Sequence, residues 1–140
     1  MKDDRLKVPV DAAYLAAIGM AAYCFARMEW DAVYCGEKLS PGYVNTVAKK
    51  TAGMIAQDVS GFAQAIADQD KRTRYQAAAA EFDSLVKRRN DLMHANPATV
   101  ADEQRLVRYG TPWQLDEIND LADDFTTCSI ELNELHNSIL

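Results

Sequence analysis

YQAAAAEFDSLVKRRNDLMH, residues 75–94, decides how this chain folds and where its chemistry lies. Tyr75, Ala78, Phe82, Leu85, Arg89 and Leu92 recur at intervals of three and four, the period of one face of an α-helix. Five of the six are apolar or small, and the sixth is an arginine. Burying a guanidinium without a partner is costly, so Arg89 is expected to meet a carboxylate, a carbonyl, a phosphate or a partner chain. The run Ala77 to Ala80 favours helix and permits a neighbour to approach closely. The helix is predicted to begin near Lys71 and to be closed by Asn96-Pro97.

Outward from this helix the chain reads as more helix. Tyr14, Ile18, Ala21, Phe25, Met28 and Ala32 mark a first helix from about Pro9 to Tyr34, with Pro9 in its first turn and the stretch from Gly36 to Gly42 ending it. A second is predicted from about Tyr43 to Val59, with Val44, Val47, Thr51, Met54 and Ile55 inward. Ser60 to Asp70 reads as a short helix or a continuation of the second. Ala98 to Pro112 reads as a connection with one turn of helix around Asp102 to Val107. Thr111 as N-cap and Pro112 at the first helical position then open a last helix. Its stripe of Ile118, Leu121, Phe125, Cys128, Leu132, Leu135 and Ile139 is the cleanest in the chain. With no strand alternation or internal repeat to compete, the expected fold is an all-α bundle of four main helices plus a short extra helix, one domain over residues 1–140.

Composition narrows the function. At 140 residues and 49% hydrophobic the chain can build a core of its own. The longest apolar stretch, Ala12 to Ala26, is mostly alanine and too weakly apolar to span a bilayer, so no membrane association is expected. The opening Met1-Lys2-Asp3-Asp4-Arg5 carries acid where a secretion signal wants a basic start, which points to the cytoplasm. Cys24, Cys35 and Cys128 are odd in number, and the first two, if on one helix, lie roughly 16 Å apart, too far for a disulfide. They read as small buried hydrophobes. With no Cys-x-x-Cys, two histidines (His94 and His136) and no pair of Glu-x-x-His motifs, neither a metal nor another cofactor is expected.

Net charge is −6 at pH 7, which argues against a protein that coats nucleic acid through its overall field. The distribution says more. Between Lys71 and Arg89 stand six bases against Glu81 and Asp83, and between Asp116 and Glu134 stand seven acids and no base. The positive stretch leads directly into Arg89-Asn90-Asp91-Leu92-Met93-His94. Arginine suits phosphate oxygens and histidine titrates near neutrality, so together they suit phosphoryl chemistry on RNA. Against this, both charge runs also suit solvated helix faces, and His94 suits a helix C-terminus. Glu29 follows Phe25 on the first helix and is a candidate ion-pair partner of Arg89 or a modulator of the site. Trp30, Trp113 and Tyr109 are aromatic groups for base stacking or for packing, and His136 reads as a surface residue.

Arg89 to His94 resembles the R-x4-6-H motif of the HEPN family (higher eukaryotes and prokaryotes nucleotide-binding domain), in its form with a polar residue, Asn90, after the arginine. The order of helices is similar to that family over essentially the whole chain: a motif late in the third main helix, a less regular connection, and a final amphipathic helix. One departure is that Ala95-Asn96-Pro97 follows the histidine, where some toxin members carry a tyrosine.

The resemblance implies a metal-independent endoribonuclease of a toxin–antitoxin or antiviral-defence type. Its active site would form where two motif-bearing helices meet in a homodimer. It implies catalytic roles for Arg89, Asn90 and His94, RNA as substrate, and an antitoxin or regulatory protein as a further partner. A non-catalytic HEPN-like module that binds a nucleotide or a partner protein is the alternative. On a helix at about 100° per residue Arg89 and His94 point roughly 140° apart, which favours a site assembled from two chains.

Overall fold

Helix starts in this chain are set by side-chain caps. The Asp11 carboxylate accepts the Tyr14 amide at 2.9 Å, Thr51 Oγ1 accepts Met54 at 3.2 Å and Asp68 accepts Lys71 at 2.9 Å. In the computed structural model, which describes Arg5 and residues 8–140, these caps open α1 (Ala12–Leu39), α2 (Ala52–Gly61) and α3 (Gln69–Met93). The last helix, α4 (Leu115–Glu134), starts without a side-chain cap but with Asp116 and Glu117 in its first turn, where the helix dipole favours acids. It ends in a π-helical turn, Leu135–Ile139. The stretch Met1 to Asp4, read above for its acidic opening, lies outside the described residues.

The protein is mostly helical, as expected, but not all-α. Between α3 and α4 the chain forms a three-stranded antiparallel sheet, β1 (Asn96–Val100), β2 (Glu103–Arg108) and β3 (Thr111–Pro112). The turn of helix expected over Asp102 to Val107 is therefore wrong: this stretch is β2, pairing Val107 with Asn96 and Glu103 with Val100. Thr111 and Pro112 belong to β3, not to the start of the last helix. Pro97 is tolerated because β1 is an edge strand.

Two further boundaries moved for identifiable reasons. Gly36 does not break the first helix, which runs on to Leu39; a Cβ at Gly36 would sit 2.7 Å from the Tyr43 ring, so the glycine makes room for Tyr43 and Phe62. The second predicted helix is two pieces, a 3-10 turn over Tyr43–Lys49 and then α2, because Thr51 restarts the helix. Glu37 ties down the intervening loop by accepting the amides of Gly42 and Val44 at 3.0 and 2.9 Å. Met54, expected inward, is exposed, while Ile55, Ala56 and Val59 are buried. Phe62–Ala65 forms a short 3-10 turn before α3.

The core is where the apolar stripes meet. Tyr14, Ala21, Phe25, Met28 and Ala32 of α1, Tyr75, Ala78, Phe82, Leu85 and Leu92 of α3, and Ile118, Leu121, Phe125, Cys128 and Leu132 of α4 are all buried. Phe25 meets Phe125 edge-on at 5.3 Å, and the Cys35 thiol donates to the Leu132 carbonyl at 3.2 Å, so α1 and α4 advance side by side in the same direction. Burial pushes the Cys35 and Cys128 thiols up to about 12, which makes both inert as nucleophiles. No helix among the described residues is long and apolar enough to cross a membrane.

The sheet is anchored to α1 by a single buried phenol. The Tyr14 hydroxyl donates to the Trp113 carbonyl at 2.8 Å and accepts the Leu106 amide at 3.0 Å. Arg105 lies over the same ring at 4.4 Å and pairs with Asp11 at 3.0 Å. The sheet therefore sits at the end of the bundle where α1 and α4 begin and α3 ends.

Candidate functional site

The last turns of α3 carry the motif. Arg89 projects from the buried stripe towards α1, half-buried, and its guanidinium lies 4.5 Å from the centre of the Phe25 ring. Its Nη1 donates to Asn90 Oδ1 at 2.9 Å. The predicted partner set was a carboxylate, a carbonyl, a phosphate or a second chain; among the described residues Arg89 has no carboxylate within 4 Å. The ring and the amide oxygen orient the cation without neutralising it.

Glu29, one turn beyond Phe25 on α1, is near enough to feel that cation but is not its ion-pair partner. Burial raises the Glu29 carboxyl above its ordinary range, and the charge of Arg89 draws it partly back. Arg89, Asn90 and Glu29 thus share one region between α3 and α1.

His94 stands one turn beyond Asn90, at the end of the helix. It is the C-cap residue of α3, its amide bonded to the Asn90 carbonyl at 2.9 Å, and its ring is exposed with no hydrogen-bond partner among the described residues. What surrounds it comes from the sheet. Arg108 Nη1 reaches the His94 carbonyl at 3.4 Å, Nη2 donates to the Tyr109 hydroxyl at 3.0 Å, and the guanidinium lies 4.3 Å from the centre of the Tyr109 ring. Asp91, expected to be solvated, is 3.7 Å from Arg108 Nε, beyond hydrogen-bond distance, and that buried nitrogen has no partner. Arg108 was missed at the sequence level because it was read as part of an irregular connection. Its one sequence signal was the juxtaposed Arg108-Tyr109-Gly110, a cation and a ring before a turn glycine.

The segregated charges of the sequence meet inside the fold. Arg74 binds Glu131 at 2.7 and 3.0 Å and Glu134 at 3.0 Å, Arg88 binds Asp124 at 2.6 Å, and Lys87 binds Asp83 at 3.2 Å. Arg74 holds the Glu131 carboxyl below its ordinary value by its hydrogen bond. Within the basic stretch Arg74, Lys87 and Arg88 are paired with carboxylates, while Arg72 meets only the Ile66 and Ala67 carbonyls and the Gln69 amide, and Arg89 and Arg108, near the end of the bundle, also lack a hydrogen-bonded carboxylate.

A pocket of about 490 Å³ between Tyr14, Ile18 and Leu106 lies at the start of α1 and is lined mainly by apolar groups. Of its two lining cations, Arg5 and Arg105, the second is already taken by Asp11 and Glu103. Among the described residues no group of three or more His, Cys, Asp and Glu side chains is placed to hold a metal ion. On α3 the one large exposed apolar side chain is Met93, whereas Met20, Tyr23, Trp30 and Tyr34 of α1 and Ile130 of α4 are also exposed. Trp30 donates to the Tyr34 hydroxyl at 2.9 Å, and Tyr34 lies 5.7 Å from the His136 ring, so these aromatics pack on one another at the surface. Compared with protein-family models, with curated proteins and with solved structures, the chain finds no match.

Proposed function

We propose that this protein is a HEPN-like, metal-independent endoribonuclease of the toxin–antitoxin or antiviral-defence kind, working in the cytoplasm as a homodimer through α3, with an antitoxin or regulatory protein as a further partner. The observation that carries the reading is Arg89: a half-buried, oriented guanidinium with no carboxylate within 4 Å, standing five residues before an exposed histidine. A cation kept from its own acids inside an acidic protein is suited to an anion from outside, and a phosphate diester is the anion that also gives a nearby histidine something to do.

In this reaction His94 takes the proton of a ribose 2′-hydroxyl. The 2′-oxygen bonds to phosphorus, the bond to the 5′-oxygen breaks, and that oxygen leaves with a proton. The products are a 2′,3′-cyclic phosphate and a 5′-hydroxyl. Arg89 stabilises the charge that builds on the phosphate oxygens, and Asn90 holds Arg89 in place. On a helix Arg89 and His94 point roughly 140° apart, so in this reading the second chain of the dimer supplies the missing group.

The unanchored His94 ring also favours the second reading, a HEPN-like module that binds a nucleotide or partner without cutting. An assay separates them. Purified protein incubated with single-stranded RNA in excess EDTA should yield fragments ending in a 2′,3′-cyclic phosphate, and His94→Ala should lower the rate by about 10²-fold or more. Binding without cleavage would establish the module. Cleavage that vanishes in EDTA and returns with a divalent ion would overturn the mechanism.

A further inference from the structure

The sheet turns twice on two-residue loops whose residues all have positive φ: Ala101 and Asp102 at 49° and 63°, then Tyr109 and Gly110 at 51° and 77°. Such loops match the twist of a hairpin and favour Asn, Asp or Gly in the first position, since an L side chain is strained there. Tyrosine is a poor choice for that place. The fold gains little burial for it either, because Tyr109 is 85% exposed. An aromatic ring set at a strained turn and left in solvent is an outlier that points to function.

The ring is also held in position. Arg108 covers one face at 4.3 Å and donates to the hydroxyl at 3.0 Å, while the same guanidinium reaches the His94 carbonyl at 3.4 Å. A small pocket of about 290 Å³ opens beside it, between Tyr109, Trp113 and Glu117. One residue thus ties the ring to the end of α3 that carries His94.

We propose that Tyr109 is a stacking platform for an unpaired base of the RNA, next to the phosphate that His94 serves, with Arg108 fixing the ring and adding its charge near the strand. The proposal rests on the ribonuclease reading and names the substrate more closely: single-stranded RNA with a splayed base, since bases in a duplex are already stacked. Stacking tolerates any base, so the platform sets strand state more than sequence.

The test uses Tyr109→Asn, because asparagine suits the positive φ and deletes only the ring. In the full-length His94→Ala protein, which removes cleavage, a fluorescein-labelled single-stranded RNA is titrated and its anisotropy followed. Tyr109→Asn should weaken binding by about tenfold or more, Tyr109→Trp should keep it, and a hairpin RNA with no loop base free should be indifferent to both. The melting temperature of Tyr109→Asn should hold or rise, which separates the loss from misfolding. If Tyr109→Asn binds single-stranded RNA as tightly as its parent, the platform is wrong and the ribonuclease reading stands. If neither wild type nor His94→Ala binds RNA, the reading falls and takes the platform with it; if Tyr109→Asn loses only a protein partner, the tip is a protein-docking site and the proposal is overturned.

Discussion

The two ends of α3 use the same residue type in opposite ways. At the N-terminal end Arg74 is held by Glu131 and Glu134 of α4, and Arg88, immediately before the motif, is held by Asp124 of the same helix. At the C-terminal end Arg89 and Arg108 rest on aromatic rings and reach amide, hydroxyl or carbonyl oxygens, with Asp91 no nearer than 3.7 Å to Arg108. Arg74 and Arg88, the first kind, are spent on holding α3 to α4. Arg89 and Arg108 are oriented without a hydrogen-bonded carboxylate, which is what the proposed phosphate site requires of them.

That contrast is broken or sharpened first by exchanging the readouts. Arg89→Ala should cut RNA cleavage by about 10²-fold or more while lowering stability little, because it removes the proposed transition-state charge and, within the fold, one ring contact and one hydrogen bond to a neighbouring side chain. Arg74→Ala should do the reverse: cleavage within a factor of about two, and a small but measurable fall in melting temperature, since this pair is partly exposed and screened. The Arg74 effect carries a pH signature. Glu131 has its carboxyl lowered by Arg74, so the contribution is present above the ordinary glutamate range and is lost as pH falls through the lowered value. Thermal melts of wild type and Arg74→Ala should therefore converge in acid. Equal loss of cleavage in both variants would erase the distinction between the two ends.

A smaller effect is expected at Glu29. Its carboxyl is raised by burial, so as pH falls towards that raised value it loses its charge before an ordinary glutamate would, and the field of Arg89 is then unopposed. RNA binding by the His94→Ala protein should strengthen a few-fold over that descent, and Glu29→Gln should show the stronger binding already at neutral pH with the acid-side rise gone. An unchanged pH profile in Glu29→Gln would remove Glu29 from the site.

Sequence reading recovered the bundle because its information is local and periodic. The stripes of α1, α3 and α4 announce both the helices and the core, and Arg89 stood out by occupying one apolar place in such a stripe. The sheet was hidden for an equally physical reason. Its strands are short and none of their residues is fully buried, so no alternation of apolar and polar residues marks them, and its turns use Ala101-Asp102 and Tyr109-Gly110 where Asn-Gly would have signalled a hairpin. Hence His94 and Asn90 were legible as a motif and Tyr109 as an aromatic group for stacking or packing, while Arg108, which reaches the His94 carbonyl only through tertiary structure, was not. The charge runs were legible in sign but not in outcome, because nothing in the sequence says that Arg74 and Arg88 face the acids of α4.

The central claim is that Arg89 and His94 act on one phosphate from two chains, and mixing two dead variants tests it most directly. Arg89→Ala and His94→Ala homodimers each lack every copy of one group. A heterodimer keeps His94 on one chain and Arg89 on the other. Co-refolded with differently tagged chains so that exchange is verified, the mixture should recover a measurable part of the wild-type rate on a fluorescent RNA, well above the roughly 10²-fold deficit of either parent. Verified heterodimers that cleave no faster than the parents would contradict a shared site.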